Sequence, residues 1–149
     1  MAKQLDKKET VTVEELLVSK SYEFADIVSL LEKKMLLLEV YRSYLQKNIV
    51  IPCELTGIEN FSWEEFYIIG PGDKKEYEEL KKSRPSYRDV YTFTSFDEQI
   101  GDMEGLMVKV KRISDRKQFV LPLADLKATD KKSPNYKLIN DYAVWFVNY

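Results

Sequence analysis

The sequence predicts an α+β fold: a long N-terminal helix, a small, strongly bent antiparallel sheet, and a C-terminal helix. Three observations predict it. Apolar residues recur at spacings of three and four from Phe24 to Leu45, the period of one helical face. In GLMVKVKRISDRKQFVLPLADL, Leu106, Val108 and Val110 alternate with Met107, Lys109 and Lys111. A polar break, Ser114 to Lys117, then joins them to a second apolar run, Phe119 to Leu123, and the two runs read as a β-hairpin. Helical spacing returns from Tyr136 to Val147.

Residues 1–12 are polar, lack a periodic apolar signal and read as a frayed terminus. Thr12 and Glu15 have capping-box spacing, so the helical region starts at Val13 and spans 13–47. Its stripe of Phe24, Ile27, Leu31, Met35, Leu38, Tyr41 and Leu45 is widened by Leu30, Leu36, Leu37 and Val40, which predicts packing against the sheet. Asn48 stops the helix, and Ile49 to Leu55 reads as the first strand of a sheet region spanning 49–126. Residues 58–88 interrupt that sheet with helical character. Ser62 and Glu65 repeat the capping-box spacing, Gly70-Pro71-Gly72-Asp73 is a turn, and Lys74 to Lys82 makes a charged helical turn or two that Arg84-Pro85 ends. Asp89 to Phe96 is rich in β-formers and reads as a strand. Pro122 cannot donate to a ladder, so its strand is expected at or near a sheet edge. Asp125 to Asp130 reads as an exit turn. Ser133 then caps a helix over 133–148 with Pro134 at its first position, and the closing WFVNY is expected to dock on the sheet. All 149 residues read as one domain with enough apolar material for a core.

Composition removes several chemistries. The chain has no histidine and a single cysteine, which excludes Ser-His-Asp and Cys-His catalysis, thiolate clusters and nearly every zinc, copper or non-haem iron site. Cys53 has apolar neighbours and no adjacent base, so it is expected as a buried small hydrophobe rather than a nucleophile. Glu64 and Glu65 are adjacent and point different ways on a helix, so they are no ready carboxylate pair. These points argue for a protein that is not an enzyme. No run is apolar enough for a membrane span and the N-terminus has no signal-peptide apolar region, so a cytosolic protein without membrane contact is expected.

Charge is unevenly spread. Glu54 to Glu104 holds thirteen acids against six bases, and Gly105 to Lys137 nine bases against three acids. Two solvated stretches pairing across a surface account for this; a cation or partner site is the sharper reading. The cation candidate is the segment Asp97 to Gly105, where Asp97, Glu98, Asp102 and Glu104 with two glycines suit hard ions such as calcium, although the spacing is not that of an EF-hand. Lys109, Lys111, Arg112, Arg116 and Lys117 on the hairpin, with Lys127, Lys131 and Lys132 after it, are a nucleic-acid candidate; lysines that protect a sheet edge are the plainer reading. Trp63, Phe66, Tyr67 and Tyr77 combine large aromatics with acidic neighbours and are the candidate surface for a protein partner. Burial of Trp63 and Phe66 under the helix competes with that.

Tyr44, Leu45 and Pro52, followed by Leu121, Pro122, Leu123 and Leu126, resemble the signature of the cyanobacterial calcium-binding protein family. In that family a helix leads into a Tyr-Leu … Pro-Phe strand, and a late hairpin ends in Val-Pro-Leu-x-x-Leu. The resemblance covers residues 30–128, with the segment 58–88 as an insertion that the family pattern lacks. It implies a small SH3-like barrel and, by association, calcium or another divalent cation as ligand. The family's calcium chemistry is credited to acidic surface residues, whereas the matching hairpin here is basic and the chain's pI is 5.4. A small binding protein for a divalent cation is therefore the first functional expectation. A protein-interaction module of adaptor or inhibitor type is the second, and nucleic-acid binding through the hairpin the third.

Overall fold

The structure, a computed structural model, describes residues 24–149. The expected frayed terminus and the helix start at Val13 lie outside them. Helix α1 spans Phe24–Asn48, and strand β1 spans Glu54–Gly57. The segment after β1 holds a three-residue 3-10 turn (Ser62–Glu64), a short helix α2 (Glu65–Ile68) and helix α3 (Lys74–Leu80). Strands β2 (Val90–Gly101), β3 (Gly105–Arg112) and β4 (Gln118–Pro122) form a meander. A 3-10 turn (Leu123–Asp125) leads to β5 (Leu126–Ala128), and helix α4 spans Pro134–Asn148. Among the described residues the protein is α+β, with one five-stranded antiparallel sheet in the order β4-β3-β2-β1-β5. The edge strands β4 and β5 do not pair with each other, so the sheet is open.

Three strand boundaries differ from the sequence expectation: β2 runs past Phe96 to Gly101 in its pairing with β3, and the first and last strands are displaced, each for a physical reason. Ile49 to Pro52 is not strand; the chain bends there through a cis Ile51–Pro52 bond. The Val50 N–H donates to Asn135 Oδ1 at 2.8 Å, and the Val50 carbonyl accepts from Asn135 Nδ2 at 2.7 Å, so a buried side chain of α4 replaces a neighbouring strand. The residues read as an exit turn instead supply β5, where Leu55 faces Ala128 and Gly57 faces Leu126. β4 is an edge strand and ends on Pro122, as a proline without a donor requires.

The core lies between one sheet face and the two long helices. β3 follows strict alternation, burying Leu106, Val108 and Val110. β2 buries Tyr91 and Phe93, then Phe96, and the register skips one residue between Phe93 and Ser95. That bulge returns Phe96 to the core face when simple alternation would have exposed it. From the helices come Leu38, Tyr41 and Leu45, and Ile139 and Tyr142. Tyr41 meets Tyr142 edge-on at 5.1 Å and Trp145 at 5.1 Å, which fixes α1 against α4. Leu31, Leu36 and Val40 of the widened stripe remain exposed, so that part of the helix does not pack on the sheet. Cys53 is buried, and burial pushes its thiol up to about 11, as expected of an inert cysteine.

Gly105 shows why β3 begins where it does. Its φ is +74°, and a Cβ there would lie 2.6 Å from both the Phe146 ring and the Tyr142 hydroxyl. That hydroxyl accepts the Leu106 N–H at 2.9 Å, tying α4 to the start of β3. Gly105→Ala combines left-handed strain with overpacking, and should cost about 2–4 kcal/mol in urea unfolding. A loss below about 1 kcal/mol would mean that α4 can shift without penalty at this contact. Among the described residues no helix is long and apolar enough to cross a membrane.

Candidate functional site

The segment between β1 and β2 is closed on itself by the buried Glu64 and tied to the sheet by the buried Arg112 of β3. Glu64 is fully buried at the end of the first 3-10 turn. Its Oε1 accepts from the backbone N–H groups of Phe61 (3.2 Å) and Tyr87 (2.8 Å), and its Oε2 from the hydroxyls of Tyr77 (2.6 Å) and Ser86 (2.7 Å). Four donors thus converge on one carboxyl group from both ends of the segment and from α3. Burial, followed by the Glu64 contact, pushes the Tyr77 phenol up to about 12.

The second clamp is Arg112, only 3% exposed at the end of β3. Its guanidinium reaches Asp115 by two bonds (3.0 and 2.8 Å), Asp89 (2.9 Å), and the carbonyls of Lys81 (3.1 Å), Lys82 (3.0 Å) and Arg84 (2.9 Å). Those carbonyls follow the end of α3, so the arginine caps the helix while pairing with Asp115 of the β3–β4 turn and Asp89 just before β2. The Asp115 contact, then Asp89, raises its pKa further above the ordinary arginine value, while Arg112 holds the Asp115 carboxyl down to about 2.

On this platform the four predicted partner-binding aromatics form one contiguous cluster. Tyr67 stacks on Tyr77 at 5.4 Å and 13°, Trp63 meets both at 6.1 and 5.7 Å, and Phe66 meets Tyr67 edge-on at 5.1 Å. Trp63 is half-buried, and its indole N–H donates to the Pro85 carbonyl at 2.7 Å. Phe66 does not enter the core: it is 54% exposed, and the neighbouring Ile69 is 76% exposed. Arg84 lies over the Trp63 ring at 5.4 Å and Lys81 over Tyr77 at 4.6 Å, so cations frame the cluster.

The other predicted sites are arranged differently. Asp97 and Glu98 are in strand β2, not in a loop, while Asp102 and Glu104 are in the three-residue turn before β3. Asp97 lies 4.0 Å from Lys109 and accepts the Gln99 N–H, and the carbonyls of Asp97 and Glu98 both accept from Arg42. Among the described residues no three carboxylate or cysteine side chains gather as metal ligands would. The basic hairpin set is also divided. Arg112 points inward to the clamp, Lys117 donates to the Lys82 carbonyl at 2.8 Å, and Lys109, Lys111 and Arg116 are exposed, Arg116 with φ +62° in the hairpin turn. Pairs such as Arg112–Asp89 and Lys109–Asp97 join the acidic and basic stretches across adjacent strands.

These features define an α+β protein whose sheet carries a clamped helical insertion with an aromatic outer face. The chain matches no protein-family model, no curated protein and no solved structure.

Proposed function

We propose that this is a non-catalytic binding module that engages a protein partner through the aromatic face of its helical insertion. The observation that carries the reading is the contiguous cluster of Trp63, Phe66, Tyr67 and Tyr77, with Phe66 and Ile69 turned to solvent. Large aromatics on a rigid support anchor protein interfaces at low entropic cost, and the Glu64 and Arg112 clamps supply the support. Glu64, the most buried carboxyl group of the segment, has its acceptor sites occupied by four donors, which suits a structural role better than proton transfer. In this reading the sheet is SH3-like. A β2-β3-β4 meander, a 3-10 turn and a last strand returning to β1 support that reading.

The test is site-specific photo-crosslinking in the protein's own host, with a benzoylphenylalanine replacing Phe66 or Ile69 and, as control, the exposed Gln46. One discrete adduct of the same size from positions 66 and 69, absent from 46, is the expected result. No adduct from either position would sink the reading. A calorimetric titration separates it from the cation reading that the family resemblance suggests. Heat saturating at micromolar calcium, and lost on Asp97→Asn with Asp102→Asn, would favour the cation instead.

A further inference from the structure

A groove of about 630 Å³ opens where the loop after β1, the β2–β3 turn, the turn before β5 and the outer face of α4 meet. Its volume falls in the range of about 300–1,000 Å³ typical of ligand sites. Four carboxylates line it, Glu59, Glu65, Glu104 and Asp125, and among the described residues no lysine or arginine does. Among the described residues none of these four carboxylate groups has an ion-pair or hydrogen-bond partner. The apolar lining includes Ile58, Met103, Val144 and Val147, with Met103 84% and Val147 76% exposed. Val144 and Val147 are one turn apart on the face of α4 that points away from the core, so among the described residues nothing covers this stripe.

Charge selects what would cover this surface. The C-terminal end of α4 adds the negative pole of its dipole to the groove, and its last turn carries no basic residue to offset it. Lys34 lies over the Phe146 and Tyr149 rings at this end of α4, behind the lining residue Phe146, and does not itself line the groove. Burial, followed by the charge of Glu59, raises the Asp125 pKa, a repulsion that an incoming cation would relieve. Nucleic acid and anionic lipid are repelled by such a surface. Among the described residues a single metal ion finds no three ligands gathered, and a polyamine would leave the apolar stripe unused.

We propose that this groove is a peptide-binding site for a segment of a partner protein in which lysine or arginine side chains flank apolar ones. The basic side chains meet Glu59, Glu65, Glu104 and Asp125, and the apolar ones cover Met103, Val144 and Val147. The site is separate from the aromatic face, and either surface can fail without the other.

The test uses the full chain and a short fluorescein-labelled peptide that alternates arginine and lysine with leucine and phenylalanine. A peptide with glutamate in place of every base, and spermine, serve as controls. Fluorescence anisotropy should give saturable binding of the basic peptide, weakened about tenfold or more between about 50 and 300 mM salt, and none of the acidic peptide. Glu59→Gln with Asp125→Asn should weaken binding about tenfold, whereas Glu78→Gln with Glu79→Gln on α3 should leave it unchanged. Val144→Glu with Val147→Glu adds negative charge and removes apolar contact. It should weaken binding if the groove docks the peptide as proposed, and strengthen it if only charge matters. Amide shifts of the unmodified protein should move at Glu59, Glu104, Asp125 and Val147 when the peptide is added. Absence of binding, spermine competing at equal concentration, shifts confined to other surfaces, or stronger binding by the double glutamate variant would each overturn the proposal.

Discussion

Glu64→Ala is expected to lower stability by about 3–5 kcal/mol and to loosen the whole segment between β1 and β2. The change leaves the Phe61 and Tyr87 N–H groups and the Tyr77 and Ser86 hydroxyls without the acceptor they share. Each stranded backbone donor costs about 1–3 kcal/mol; the hydroxyls can rotate and recover part of their loss, so the two N–H groups dominate the sum. Glu64→Gln discriminates between lost packing and lost acceptors. Its amide oxygen can still face the two N–H groups while its NH₂ donates to the hydroxyls, so about 1–2 kcal/mol is expected. The measurements are urea midpoints at constant slope and amide exchange across residues 62–88. The Tyr77 phenol, raised to about 12 in the native protein, should titrate closer to 10 in Glu64→Ala. If Glu64→Ala costs less than about 1 kcal/mol with unchanged exchange, water replaces the carboxylate and the clamp account is wrong.

The elements with a strong period were legible in the sequence; those made by side-chain contacts were not. The β3–β4 hairpin follows from Leu106, Val108 and Val110 alternating ahead of a four-residue polar break, and α4 follows from Ser133 and Pro134, which sit at the cap and first turn. The first strand starts later than its sequence suggests: Ile49, Val50 and Ile51 have strand propensity, yet the Ile49 N–H closes the last turn of α1 on the Leu45 carbonyl and both backbone groups of Val50 go to Asn135, 85 positions away. β5 was missed for a related reason. Three residues after a 3-10 turn carry too little pattern to be told from a loop, and only pairing with β1 makes them strand.

The candidate sites divide along the same line. Trp63, Phe66, Tyr67 and Tyr77 are legible as large aromatics among acidic neighbours in one segment, whereas the stacking of Tyr67 on Tyr77 needs the turn at Gly70 to Asp73. The capping spacing pointed to Ser62 and Glu65, one position off. The structure uses Phe61 and Glu64, and the off-by-one exposes Glu65 and buries Glu64. Arg112 looked like one more base on a basic hairpin. Its place in the alternation was the available signal, since a residue two beyond Val110 shares the inward face. The acidic groove has no contiguous signature: Glu59, Glu65 and Glu104 belong to the acid-rich stretch of the sequence, but only the fold brings them together with Asp125.

Arg112→Met should cost about 3–5 kcal/mol, comparable to the Glu64 clamp, since it leaves the Asp89 carboxylate and three main-chain carbonyls without their shared donor. Methionine keeps the contact with Phe119, over which the guanidinium lies at 5.1 Å, so the loss reports hydrogen bonding more than packing. Arg112→Lys should recover little, because one ammonium cannot span Asp115, Asp89 and the end of α3 together. A pH signature separates this role from a general loss of fit. The Asp115 carboxyl is held at about 2 in the native protein against an ordinary value of 3.8. A folded-state pKa depressed in this way contributes stability above the ordinary value, and the contribution is lost as pH falls from about 4 to about 2. The native protein should therefore lose stability across that interval through this pair, and Arg112→Met should lack that part of the slope. Because Asp115 is exposed, the slope is small and is best read from carboxyl chemical shifts. An Asp115 that still titrates near 2 in Arg112→Met would assign its low pKa to the Lys117 N–H and ammonium, and the arginine would then be a helix cap without an ion pair of consequence.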